Sequence, residues 1–181
     1  MDTRWLETEP HPVFVSLSLQ GGVAVARRYV LEQVDIFQDL TPDQLARIEE
    51  ICREQNFTQG DVIFEENTPS REFYIIIDGE VEIQVDPDTI SPGEEDHPPT
   101  TIAVLRRGQS FGEVAIVDPG VRSASARCGS ETCKLLVIDR DDFLNLLTGD
   151  YQMGYIVMRN FAADLALKIR QTNLLVRESL L

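Results

Sequence analysis

The middle of the chain, from about residue 57 to residue 139, is a series of short apolar runs separated by turn residues. Runs such as 73–77 and 102–105 are too short for helices and are typical of β-strands. Asp78-Gly79, which joins two such runs, predicts a two-residue hairpin. Many short strands at close spacing favour a small antiparallel barrel or roll, which we expect over about residues 55–139.

Helical patterns flank this strand-rich region. Apolar residues recur at helical spacing from Val23 to Val34. Thr41 can then cap a helix for which Pro42 suits the first position. The sequence therefore predicts an α+β fold, in which an antiparallel β-roll of the jelly-roll-like, double-stranded β-helix type is flanked by N-terminal helices and C-terminal helices.

The C-terminal part of the chain is predicted to be helical. Asp139 opens a short apolar pattern that Gly149 ends, and a longer pattern runs from about Tyr151 to Val176. We divide the chain into an N-terminal extension at 1–30 and one domain at 31–181, whose C-terminal helices span about 140–178.

Composition restricts the partners of the chain. A net charge of −15 argues against binding nucleic acid, because phosphate backbones are bound by clustered Lys and Arg. No window approaches the length of a membrane span, and the acidic N-terminus does not resemble a secretory signal, so we expect a cytoplasmic protein.

The three cysteines have structural interpretations. An odd number favours a reducing compartment. Cys128 and Cys133 flank the turn 129–132 and would face each other across a hairpin, which leaves a disulfide open; we favour two reduced thiols on grounds of compartment. Cys52 is interpreted as a small apolar residue on a helix.

The segment Phe111–Ala126, called the cassette below, carries the candidate chemistry. Gly112 and Ala115 are small enough for close backbone approach, and residues 112–117 can form one or two helical turns whose amides face an anion. Arg122 offers a fork of donors for two phosphate oxygens, and Ser123 adds a hydroxyl. Glu113 is suited to accept a hydrogen bond from a sugar hydroxyl.

Two motifs in this segment, Phe-Gly-Glu-Val-Ala-Ile at 111–116 and Arg-Ser-Ala at 122–124, resemble the phosphate-binding cassette of the cyclic nucleotide-binding domain family. The family includes catabolite activator proteins and cyclic-nucleotide-dependent kinases, and the resemblance covers about Val34 to Leu175. It implies a site for cyclic AMP or cyclic GMP, with Glu113 on the ribose 2′-hydroxyl, Arg122 on the cyclic phosphate and Ser123 as a further phosphate contact. The resulting ligand-binding set comprises Gly112, Glu113, Val114, Ala115, Arg122, Ser123 and Ala124.

The chain departs from the family pattern in a few places. Asn67 stands where many members have glycine, and asparagine tolerates the left-handed backbone that the turn requires. Val121 stands directly before Arg122 where many members have proline, and the 86–100 loop is longer than usual. No helix-turn-helix follows the last helix, so we expect no direct contact with DNA.

The expected function is that of a non-catalytic sensor that passes ligand binding through movement of its C-terminal helices to an unknown effector. A homodimer through the last helix is part of this expectation. The alternative is a degenerate fold that binds no ligand and acts as a protein-interaction module.

A metal-dependent enzyme is disfavoured, because the only histidines, His11 and His97, lie outside the predicted strands. Tyr151 and Tyr155 could stack on a base, although packing is the more common role for aromatics on a helix.

Overall fold

The computed structural model describes residues 27–87, 98–118 and 120–179. Residues 1–26 of the predicted N-terminal extension, His11, His97 and most of the 86–100 loop therefore lie outside the described residues, as does the first part of the helical pattern that begins at Val23.

Helices flank a strand-rich centre. Helix α1 covers residues 27–33 and is followed by a 3-10 turn at Asp35–Phe37. The other helices are α2 (Pro42–Ile51), α3 (Val114–Val117), α4 (Arg140–Thr148) and α5 (Tyr151–Ser179). The strands of the described ranges are β1 (Cys52–Thr58), β2 (Val62–Phe64), β3 (Glu72–Asp78), β4 (Glu80–Val85), β5 (Thr100–Arg106), β6 (Ser110–Phe111), β7 (Ser125–Cys128) and β8 (Thr132–Asp139).

The strands form two antiparallel sheets with the orders β1-β8-β3-β6 and β2-β7-β4-β5. The predicted α+β fold with a β-roll between helices is thereby confirmed. The roll begins a few residues earlier than predicted, because helix α2 ends at Ile51 and Cys52 is already extended and paired with Ile138. The placement of Cys52 on a helix is therefore wrong.

The burial of both faces of strand β3 explains why its sequence is a continuous apolar run. Side chains alternate between the faces of a strand, so both faces of a fully apolar strand need cover. Phe73 and Ile75 pack into the cluster that the helices share, whereas Tyr74 and Ile76 pack into the interior of the roll. Strand β8 divides its apolar residues between the same two clusters.

The predicted helix starts at Thr41 and Asp139 are confirmed, with local hydrogen bonds as their cause. Thr41 accepts a hydrogen bond from the Gln44 amide, and the Gln44 side chain accepts one from the Thr41 amide, which forms a capping box. Asp139 caps α4 by accepting from the amides of Asp141 and Asp142.

The predicted hairpin at Asp78-Gly79 is wrong. Strand β3 pairs with β6 and β8, whereas β4 pairs with β5 and β7, so the tight turn carries the chain from one sheet to the other. Gly79 adopts a φ of +87°, and a Cβ there would collide with the carbonyl oxygen of Thr132 and lie 2.7 Å from Ser130 Oγ.

The link between β7 and β8 also crosses between the sheets, and it changes the interpretation of the cysteines. Cys128 and Cys133 form a disulfide whose Cα atoms are 5.9 Å apart, within the range that a disulfide spans. The prediction of two reduced thiols is therefore contradicted. The prediction rested on the expected compartment, which does not determine whether two cysteines lie close together. Here the crossover between the sheets brings both side chains into the interior of the roll.

We expect Gly79→Ala to lower the free energy of unfolding by more than about 3 kcal/mol, since it combines left-handed strain with a clash against backbone. Gly108→Ala is the matched control, because Gly108 has a φ of +84° but open space around its Cβ position. Strain alone should lower its stability by about 1–2 kcal/mol. Urea unfolding monitored by circular dichroism measures both values, and equal losses would contradict the clash.

Candidate functional site

A cavity of about 680 Å³ opens between the cassette, the β2-β7-β4-β5 sheet and the C-terminal half of α5. Six of the seven predicted ligand-binding residues line it, namely Gly112, Glu113, Val114, Arg122, Ser123 and Ala124. Ala115 lies beneath the wall, fully buried, and its amide donates to the carbonyl of Gly112 at 3.2 Å. The predicted turn of helix at 112–117 is present as α3.

Arg122 is a buried cation in the cavity wall, with 6% of its surface exposed. Its Nη2 donates to the carbonyl oxygen of Glu72 at 2.7 Å, and its Nη1 donates to that of Gly112 at 3.4 Å. Its Nε is buried and has no hydrogen-bond partner within the part of the chain that the structure describes. Arg122 thus has an unused donor, which an anion in the cavity could satisfy.

The electrostatics of Arg122 lead to the same conclusion. Burial lowers the pKa of the guanidinium, while Tyr74, Glu72 and Glu113 oppose that shift. The direction of the shift shows that desolvation outweighs the compensation from neighbouring groups. An anion beside the guanidinium would supply the missing compensation.

Two backbone features hold Arg122 in this position. Gly112 has a φ of +74°, and a Cβ at this residue would lie 2.7 Å from Arg122 Nη1, so only glycine leaves room for the guanidinium. Asn67 has a φ of +64°, as predicted, and its amide donates to the carbonyl of Arg122 at 2.8 Å. Val121 in place of the family's proline leaves Arg122 in the cavity wall.

Glu113 is also buried, with 5% of its surface exposed. Its Oε1 accepts a hydrogen bond from Lys168 Nζ of helix α5 at 2.7 Å, and Lys168 also pairs with Asp164 at 2.8 Å. The two charged side chains predicted in the cassette therefore lie in one cavity, each with a different set of partners.

Sequence reasoning did not identify the residues of α5 that line the cavity. Six described residues of this helix line the cavity, namely Asp164, Leu167, Lys168, Gln171, Thr172 and Val176. No sequence motif marks them, although Lys168 is one of only two lysines in a chain of −15 net charge. Tyr151 and Tyr155 are 85% and 68% exposed and lie outside the cavity lining, so neither of the roles considered for them is seen.

The described ranges contain no cluster of three or more His, Cys, Asp or Glu side chains that could hold a metal ion. Over the same ranges, no helix has the length and apolarity that crossing a bilayer requires.

Comparison with known proteins identifies the family. The sequence model of the cyclic nucleotide-binding domain matches residues 54–150, which is more than half of the 181 residues. The chain belongs to the cyclic nucleotide-binding domain family. The matched region contains the strands of the roll after the start of β1, the complete cassette and helix α4.

Individual members of the family are similar over most of this chain. The human cGMP-dependent protein kinase 2 is 29% identical over 76% of the chain, which spans 17% of that kinase. The cAMP-dependent protein kinase regulatory subunit of Hypocrea atroviridis is 31% identical over 74% of the chain and 27% of its own length. The catabolite activator protein of Thermus thermophilus superimposes with a TM-score of 0.64 and 26% identity, covering 79% of this chain and 62% of that one.

The contact of Arg122 with Phe64 is open to measurement, because the guanidinium carbon lies 4.0 Å from the ring centroid. A double-mutant cycle of Phe64→Leu and Arg122→Met should give a coupling energy of about 1 kcal/mol in urea unfolding. Phe57 packs against the same cluster and serves as the control. A coupling for Phe64 as small as that for Phe57 would contradict a cation–π contact.

Proposed function

We propose that this chain is a non-catalytic sensor that binds cyclic AMP or cyclic GMP between the cassette and α5. One observation carries the proposal: the buried Arg122 lies in a cavity wall with an unused Nε donor, beside a buried carboxylate. A ligand with one anionic phosphate and one free ribose hydroxyl supplies the complement to both groups.

Each part of the ligand has a proposed partner. We assign the cyclic phosphate to Arg122 and Ser123, and the ribose 2′-hydroxyl to Glu113. Gly112, Val114 and Ala124 form the adjacent wall, and Ala115 supports it from below. The base is assigned to the apolar part of the cavity, to which Phe64 and Leu105 contribute.

The relatives support the ligand class. One similar protein is named for cGMP and another for cAMP, and their identities to this chain are 29% and 31%. These values favour neither nucleotide, so we propose the class and both members as candidates. A degenerate module without a ligand is disfavoured, because burying an arginine with an unpaired donor is costly unless a ligand compensates it.

We further propose that binding is relayed through α3. Ile116 of α3 is 2% exposed and packs in the same apolar cluster as Phe143 and Leu147 of α4 and Phe161 of α5. A ligand that binds more tightly to one position of α3 would therefore shift the positions of both C-terminal helices.

The output surface is proposed to be α5. Its C-terminal half carries the exposed apolar side chains Ile169 and Leu174, which lie outside the cavity lining. We propose this part of the helix as the contact for an effector protein or for a second copy of the chain, because exposed apolar side chains commonly mark interaction sites.

Arg122→Leu should weaken binding of cyclic AMP and cyclic GMP by at least about a hundredfold, since two charge-assisted hydrogen bonds of roughly 1.5–3 kcal/mol each are lost. Arg127→Leu is the matched control, because Arg127 is on the following strand and outside the cavity lining. Isothermal titration calorimetry measures both. Absence of heat from folded wild type with either nucleotide would refute the proposed function, and equal affinities for wild type and Arg122→Leu would refute the assignment of the cassette.

The relay predicts slower hydrogen exchange of α4 and α5 amides when cyclic nucleotide is added. Mass spectrometry with and without ligand would resolve these helices from the cassette itself. Arg122→Leu at the same ligand concentration is the control and should show no change. Protection confined to the cassette would support binding without relay.

A further inference from the structure

We propose that Lys168 is a positioning residue of the sugar subsite, which holds the Glu113 carboxylate oriented toward the ribose 2′-hydroxyl. The inference rests on the proposed function and extends it, because it makes α5 part of the binding site for the sugar.

Lys168 and Glu113 form a short ion pair although they are 55 residues apart in the sequence. Lys168 Nζ lies 2.7 Å from Glu113 Oε1, 3.5 Å from the carbonyl oxygen of Ser110 and 2.8 Å from Asp164 Oδ2. The Glu113 side chain is only 7% exposed, whereas that of Lys168 is 35% exposed. The ion pair is therefore buried on its carboxylate side and partly open on its ammonium side.

Burial makes the carboxylate dependent on this partner. An ionised carboxylate removed from water is strongly destabilised unless a cation or hydrogen-bond donors compensate it. Without Lys168, the Glu113 carboxylate would lose this partner and turn toward solvent, which would weaken it as an acceptor for the ribose hydroxyl.

The pair leaves room for a ligand. A carboxylate has two oxygens with about four acceptor positions, and Lys168 uses one of these on Oε1. The sugar hydroxyl and the ammonium can thus bind Glu113 together, so Lys168 supports the hydroxyl and does not compete with it.

The ammonium is charged at neutral pH. Burial alone lowers the pKa of Lys168, but the attraction of Glu113 and the hydrogen bonds with Asp164 and Glu113 outweigh it and leave the pKa raised. A raised lysine pKa means that the ion pair is fully formed below the ordinary lysine pKa and is lost only as the pH rises above the raised value.

Lys168 also anchors a part of α5 that packing leaves loosely held. The N-terminal half of the helix has three buried side chains, Met153, Val157 and Phe161. No described side chain after Phe161 is fully buried. Lys168 links this second half to the roll through Glu113 and Ser110. Orientation of the sugar acceptor and placement of α5 therefore depend on the same side chain.

The test compares cyclic AMP and cyclic GMP with their 2′-deoxy analogues by calorimetry on wild type and Lys168→Met. We expect Lys168→Met to weaken binding of the ribonucleotides about tenfold while changing the deoxy analogues less than about twofold. The preference for the 2′-hydroxyl should thus largely disappear. Lys168→Arg should restore it, and Lys134→Met, which removes the other lysine from its ion pair with Glu54, should leave it unchanged.

Other outcomes distinguish a failure of the role of Lys168 from a failure of the proposed function. If Lys168→Met weakens ribonucleotides and deoxy analogues equally, or neither, the positioning role is refuted while the proposed function stands. If wild type binds no cyclic nucleotide, the proposed function fails and this inference fails with it. Lys168→Gln provides a second variant, and circular dichroism confirms that each variant is folded before titration.

Discussion

Burial of strand β3 on both faces is the constraint on which the rest of the structure depends. Its side chains alternate between the helix-side cluster and the interior of the roll. On one face Phe73 contacts Phe143 and Phe161 of the C-terminal helices; on the other, Tyr74 stacks on Phe111 of the cassette with ring centroids 5.0 Å apart. A single strand therefore connects the candidate site with the helices proposed to respond to it.

The site concentrates buried charge in a chain whose overall field repels anions. A net charge of −15 acts at long range and is screened by salt, so affinity for a phosphate must come from short-range donors. Arg122 offers such donors, whereas Lys168 of another element pairs with Glu113, and each cation is held by groups distant in sequence. The cavity thus has one cation available to an anion and a second cation on the buried Glu113 carboxylate.

Much of the fold and part of the site could be predicted from sequence, and the failures have a common cause. The caps at Thr41 and Asp139 were predictable because each depends on residues within a few positions, and the left-handed Asn67 was predictable from the family pattern together with the tolerance of asparagine for that backbone. The hairpin at Asp78-Gly79 was wrong because a tight turn limits the backbone locally but does not choose the sheet that the next strand joins.

The sequence by itself determined the helices, the strand-rich centre and the cassette pattern of Gly112, Glu113 and Arg122, because caps, periodicity and motif spacing are local properties. Only the tertiary structure decided that Cys128 and Cys133 bridge two sheets and that Lys168 meets Glu113. Both contacts depend on how distant elements pack, and packing is fixed by the burial of apolar faces across the whole domain. A lysine on an amphipathic helix has no local signature that reveals its partner.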